Sequence, residues 1–259
     1  MNKRKGISLI VLVITILVMI ILAGVVVVSL SKNNPIEKAK EAKYKNNFST
    51  LKEALSLHVT NKLTEGIKKD DINYITEEEL KNVFNGQETD FKGRLVVEKG
   101  ELYVTNIQKY DHNVLNAGGS IILSTVGSKD FCIRLAYGAT KKGDNIVLEP
   151  LEEVDDKGLK HHPHTFGPYM NLNKGTYTFI IEGENLDALS IDAYNNFNRD
   201  ESSTTRYKIN YIVKTPTKNV FTIDVKETTD NFELRFLNET YGKNPSTIKI
   251  KDKIIISGN

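Results

Sequence analysis

Apolar positions fall into three patterns along this chain: one unbroken run at the start, one helical stripe, and then many short alternations. Ile7 to Leu30 holds 24 residues without a charge, interrupted only by Ser8, Thr15, Gly24 and Ser29. As a helix it would reach about 36 Å, against roughly 30 Å for the hydrocarbon core of a bilayer. Asn34-Pro35 with Glu37 is a helix-start signal, and Phe48, Leu51, Leu55, Val59 and Leu63 follow at helical spacing until Gly66. Thr76 and Glu79 form a capping box ahead of Leu80, Val83 and Phe84, which predicts a short helix. Lys99-Gly100 separates Arg94–Glu98 from Glu101–Thr105, which predicts a hairpin.

A polar, glycine-containing stretch, Asp111 to Ser120, marks the expected domain boundary. Beyond it the period changes to two. Strands are predicted at Ser120–Val126, Phe131–Tyr137, Asn145–Leu148, Thr176–Glu182, Ala188–Tyr194, Tyr207–Lys214, Val220–Val225, Phe232–Leu237 and Thr247–Ser257. Phe232, Leu234 and Phe236 alternate with Glu233 and Arg235, and Tyr207, Ile209, Tyr211 and Val213 alternate with Lys208, Asn210 and Lys214. One apolar face per strand is the pattern of strands packed on a shared core. The expected fold class is α+β: an N-terminal transmembrane helix, a small α/β head, and a β-sandwich of jelly-roll type. The expected divisions are a leader at 1–6, the membrane helix at 7–34, a helical stalk with the head at 35–110, and the sandwich at 111–259.

Charge narrows the choice of partners. The chain has 35 Lys+Arg and 33 Asp+Glu; with Lys3, Arg4 and Lys5 set aside, 32 basic residues face 33 acidic ones. A balance this even excludes a general nucleic-acid-binding surface. Those three leading cations place the N-terminus on the cytoplasmic side and the rest of the chain outside. The single cysteine, Cys132, excludes an intrachain disulfide.

Lys5-Gly6-Ile7-Ser8-Leu9-Ile10, followed by the unbroken apolar helix, resembles the class III leader of type IV prepilins and pseudopilins. The resemblance implies a cut between Gly6 and Ile7 by a membrane-embedded prepilin peptidase, with Ile7 methylated. It also implies a pilin-like α/β head and other pilin subunits as partners. Where that family has Glu as the fifth mature residue, this chain has Val11. That Glu pairs with a neighbour's amine during assembly, so its replacement points to a minor or anchored subunit. Ser29-Leu30-Ser31 also fits signal-peptidase cleavage, although an ordinary signal peptide has an apolar region of only about 7–15 residues.

Gly167-Pro168-Tyr169, Leu172, Lys174-Gly175-Thr176-Tyr177-Thr178-Phe179 and Phe232–Phe236 resemble β-sandwich modules of bacterial cell-surface and glycan-processing proteins, similar to carbohydrate-binding modules. Without that resemblance, Gly and Pro mark a turn, and Tyr177 and Phe179 are packed strand residues. Tyr169, Tyr194, Phe197 and Tyr241 lie in or beside predicted loops. Tyr194, Asn196 and Arg199 form the candidate glycan site, an aromatic ring beside amide and guanidinium donors. No catalytic motif is present, and neither a metal nor another cofactor is expected. His161, His162 and His164 are crowded on one segment, whereas three-His sites draw ligands from separate elements. Asp192, Asn196, Asn198, Asp200 and Glu201 lack the Gly and the closing acid of a calcium loop. Glu152, Glu153, Asp155 and Asp156 read as a solvated acidic loop. The expected protein is a non-enzymatic bacterial surface subunit, pilin-like and adhesive, displaying a module for a surface glycan. The alternative is a membrane-anchored or secreted glycan-binding or glycan-processing protein outside any fibre.

Overall fold

The computed structural model describes residues 12–22, 34–72, 82–84, 86, 89–127, 131–150, 164–195, 205–240 and 245–258. The chain divides into two compact units, Met1–Lys43 and Tyr44–Asn259. Of the first apolar run, residues 12–22 are described; they are helical (α1) and their apolar side chains are exposed. Among the described residues no helix is long and apolar enough to cross a membrane. Gly6, Ile7 and Val11 lie outside the described residues, as do Thr76, Glu79 and Leu80.

Helix α2 runs Pro35–Thr64. Asn34 caps it as expected: its side-chain oxygen accepts from the backbone N–H groups of Ile36 and Glu37 at 3.2 and 3.3 Å. Its buried stripe is Tyr44, Phe48, Leu51, Leu55 and Val59, at the 3.6-residue period read from the sequence, whereas Leu63, expected to end the stripe, is exposed in the last turn. Phe48 sits so close to Gly119 that a Cβ there would lie 2.3 Å from its ring.

The predicted hairpin forms as β1 (Leu95–Glu98) and β2 (Glu101–Val104). Helix α3 (His112–Asn116) then leads into β3 (Ser120–Leu123). The strands that follow are β4 (Arg134–Leu135), β5 (Ala139–Lys142), β6 (Asn145–Leu148), β7 (Thr165–Phe166), β8 (Pro168–Leu172), β9 (Gly175–Glu184) and β10 (Leu189–Asn195). After these come β11 (Thr205–Arg206), β12 (Asn210–Lys214), β13 (Lys218–Val225), β14 (Thr229–Asn238), β15 (Ile248–Lys251) and β16 (Ile254–Gly258).

These strands make two sheets. The first runs β1-β2-β3-β16-β9-β15-β6-β5, with β13 also on β9 and β12 on β13. The second runs β11-β10-β14-β7-β4, with β8 also on β14. Their inner faces share one core. Phe179 and Phe221 of the first sheet stack at 5.0 Å, and Phe179 meets Phe232 of the second at 5.9 Å. The expected β-sandwich is therefore present, in a chain that is mostly strand. The expected division between 110 and 111 falls inside the unit Tyr44–Asn259, where β2 pairs in parallel with β3 (Tyr103↔Ser120, Val104↔Ile121).

The predicted Tyr207–Lys214 run is strand only over Asn210–Lys214, because Tyr207 donates its N–H to the Ala193 carbonyl of β10 at 2.8 Å and so pairs with the other sheet; β12 itself has a bulge between Tyr211 and Val213. The single run Thr247–Ser257 is two strands, broken where the Asp252 carboxylate accepts the Thr125 N–H and hydroxyl, each at 2.6 Å.

Candidate ligand face

Each sheet has one inner and one outer face, and the two outer faces differ in chemistry. On the first sheet, Lys249 pairs with Glu184 at 2.7 Å, and Glu182 lies between Lys251 at 3.1 Å and Lys218 at 3.6 Å. Lys251 holds the Glu182 carboxyl below the usual carboxylate range, partly opposed by burial. These are solvated ladders of flexible ions; each pair is worth at most about 1 kcal/mol.

The outer face of the second sheet is rich in rings and guanidinium groups. In β10, Leu189, Ile191 and Ala193 point inward, so Ser190, Asp192 and Tyr194 point outward. In β14, Phe232, Leu234 and Phe236 are inward, which leaves Glu233 and Arg235 outward. The register then assembles two rows across the strands. Arg206 of β11 lies beside Tyr194 of β10, which opposes Glu233 of β14, which opposes Pro168 of β8. In the second row Asp192 opposes Arg235, and Phe166 of β7 opposes Arg134 of β4. Phe166 is next to Arg235 because Thr165 pairs with Phe236. Each row spans four strands, about 14 Å at the usual spacing.

Contacts within the rows hold these groups in place. Arg235 grips Glu233 with Nε at 2.7 Å and Nη2 at 3.1 Å, and only 15% and 3% of the two side chains remain accessible. The Arg235 guanidinium lies 5.1 Å from the Tyr194 ring centroid, and that of Arg206, paired with Asp192, lies 5.9 Å from it. Burial, and then the Asp192 charge, raise the Tyr194 hydroxyl above its ordinary pKa. Tyr169 reaches Glu233 with its hydroxyl at 3.5 Å, while Arg134 sits 5.1 Å from its ring and Phe166 6.3 Å away. Its pKa is raised by burial and then by Glu233. A shallow depression lined by Ile191, Asp192, Arg206, Tyr207, Lys208 and Ile209 adjoins the Tyr194 end.

The Gly167-Pro168-Tyr169 segment positions Tyr169. Gly167 and Tyr169 both have positive φ, +113° and +49°. A Cβ on Gly167 would lie 2.5 Å from the Cys132 carbonyl oxygen, so glycine is required. The kink separates β7 from β8 and lets both pair with β14, with register shifts between Thr229 and Glu233. The motif is thus a joint between two strands.

Of the candidate site residues, Tyr194 is a half-exposed residue of β10, one position before its end, as the predicted strand Ala188–Tyr194 has it. Asn196 and Arg199 lie outside the described residues, as do Phe197, Asn198, Asp200, Glu201, Tyr241 and the acidic Glu152–Asp156 segment. His161 and His162 also lie outside them, and His164 is fully buried with both ring nitrogens engaged. Among the described residues no group of three or more His, Cys, Asp or Glu side chains could hold a metal ion. Arg134, Phe166, Arg206, Glu233 and Arg235 belong to the face although sequence reasoning does not single them out as site residues. The polar half of the Phe232–Phe236 alternation is the visible signal for Glu233 and Arg235; Arg134, Phe166 and Arg206 have no such signal.

No known protein family and no curated protein matches the sequence. Solved structures similar to it include a carbohydrate-binding module of family 29, at 13% identity and a TM-score of 0.31, covering 54% of this chain and 88% of that one. A variant of a family 29 module complexed with mannohexaose is 12% identical at a TM-score of 0.31, with 54% and 92% covered. A family 4 module is 13% identical at a TM-score of 0.29, with 55% and 88% covered.

Proposed function

We propose that this chain is a glycan-binding protein of a bacterial surface, which holds a neutral polysaccharide across the outer face of its second sheet. The supporting observation is the pair of cross-strand rows. Tyr169, Phe166 and Tyr194 offer ring faces, the accessible Arg206–Asp192 pair places a donor beside an acceptor for vicinal hydroxyls, and the largely buried Arg235–Glu233 pair holds the rings in place. With Arg206 and Arg235 each paired to a carboxylate, the face is close to charge balance, which suits a polyhydroxylated chain better than a polyanion. Sheet backbone fixes the groups before binding, which limits the ordering cost. Affinity for such a ligand is expected at roughly 10 μM to 1 mM, raised by display of several copies.

The N-terminal run supplies attachment in this reading. Prepilin peptidase cuts between Gly6 and Ile7, and the helix that follows keeps the protein in the membrane with its sandwich outside. Val11, in place of the family's Glu, favours a protein that stays anchored over one that polymerises into a pilus. A glycan array probed with the detergent-solubilised full chain tests the binding claim. Neutral polysaccharides should give signal above acidic ones, and an array with no signal contradicts it.

A further inference from the structure

His164 is fully buried just before β7, and its ring joins the two sheets. Nε2 lies 2.7 Å from the Glu149 carbonyl oxygen beyond β6, and Nδ1 lies 3.1 Å from the Asn238 backbone nitrogen at the end of β14. The Asn238 N–H can only donate, so Nδ1 accepts and Nε2–H donates: the ring is neutral, in one tautomer. Asn238 completes the tie with its side chain, donating to the carbonyls of Leu148 at 2.9 Å and Ser246 at 2.8 Å. The His164 backbone pairs with Phe236 at 2.9 Å and with Ala136 at 2.8 Å. Strands β4, β7 and β14, which carry Arg134, Phe166 and Arg235, therefore converge on this one residue, β14 through both its ring and its backbone and β4 through its backbone.

We propose that His164 is a proton-sensitive strut, so that mild acid detaches the edge of the ligand face and releases the bound glycan. This rests on the glycan-binding reading above. A proton on Nδ1 would face the Asn238 N–H, donor against donor, and the charge would be buried. Among the described residues no neighbouring carboxylate compensates: that of Glu149 accepts from Thr247 at 2.8 Å and faces Lys142 at 3.9 Å, and Glu239 accepts from Ser190 at 2.5 Å. Arg134, on the adjoining strand, lies over Tyr169. Burial holds the imidazole below its ordinary pKa, with the Glu149 carbonyl opposing in part. A lowered folded value means stability that is present above the unfolded value of about 6.5 and lost as pH falls through the folded one.

The test compares the full chain with His164→Gln, and with His164→Asn should the first variant not fold. Thermal unfolding and native affinity electrophoresis in gels containing glucomannan or hydroxyethylcellulose are run at pH 7.5 and 5.0. Wild type should lose stability and about tenfold in affinity at the lower pH, while the variant holds both nearly constant. Equal pH responses of the melting temperature in wild type and variant overturn the strut, whatever the ligand. An imidazolium at pH 7.5, seen by ring-nitrogen NMR of the wild type, overturns it as well. Acid loosening without glycan binding at pH 7.5 overturns the binding reading, and the release step with it.

Discussion

Arg235 and Glu233 stand two residues apart on the outward side of β14, and the guanidinium grips the carboxylate through Nε and Nη2. The same carboxylate accepts from the Tyr169 hydroxyl, so one buried charge orients the polar centre of both rows. Glu233→Gln keeps the shape and removes the charge. It should weaken glycan binding about tenfold or more and cost about 2–4 kcal/mol, because a largely buried guanidinium loses its counter-charge. Affinity electrophoresis and thermal unfolding read the two effects separately.

A second buried pair ties α2 to the sandwich. Arg94 donates to the Asp111 carboxylate at 2.6 Å and to the Tyr44 hydroxyl at 2.7 Å, and Tyr44 itself donates to Asp111. Asp111→Ala should destabilise the protein by about 3–5 kcal/mol in denaturant titration. A chain of residues 111–259 lacks Tyr44 and Arg94 as well as β1 and β2. It should unfold less cooperatively than one beginning at residue 35.

Alkaline pH should act through buried phenols. Burial raises the Tyr177 hydroxyl to about 12, while its O–H donates to the Asn173 carbonyl at 2.8 Å. A raised folded value gives stability that is complete below the unfolded value near 10 and is lost as pH rises through about 12. Tyr177→Phe should lose about 1 kcal/mol at neutral pH and show a shallower alkaline decline than wild type in pH-dependent melting.

Gly119→Ala places a methyl group 2.3 Å from the Phe48 ring and 2.9 Å from Val114. Overpacking of this kind should cost about 1–3 kcal/mol, measurable as a lowered denaturation midpoint with an unchanged slope.

Attachment has its own readout. Intact-mass analysis of membrane-extracted protein should give a chain starting at Ile7 with one added methyl group. A chain starting at Lys32 contradicts the prepilin reading.

Strands with a clean alternation are legible in the amino-acid sequence: Asn145–Leu148 has the same bounds in the fold, and Phe232–Leu237 lies within β14. Other strands carry no such signal. β5 is a mostly exposed Ala-Thr-Lys-Lys edge, β11 is two exposed residues, and β7 and β8 are two short pieces joined at Gly167-Pro168. The candidate site is less legible, for a physical reason. Proximity along the chain groups Tyr194 with Asn196 and Arg199, whereas the sheet places it beside Arg206, Glu233 and Arg235, brought together by register. Sequence alone shows which residues alternate; it does not show which strand lies opposite.

The most direct test of the central claim is affinity electrophoresis of the full chain against neutral polysaccharide, one outer face at a time. Tyr169→Ala, Tyr194→Ala and Arg206→Ala alter the second sheet, and Lys251→Ala alters the first. Binding on the second sheet predicts that the first three variants migrate unretarded while remaining folded, and that Lys251→Ala is retarded like wild type. Retardation of all three second-sheet variants to the wild-type extent would contradict it.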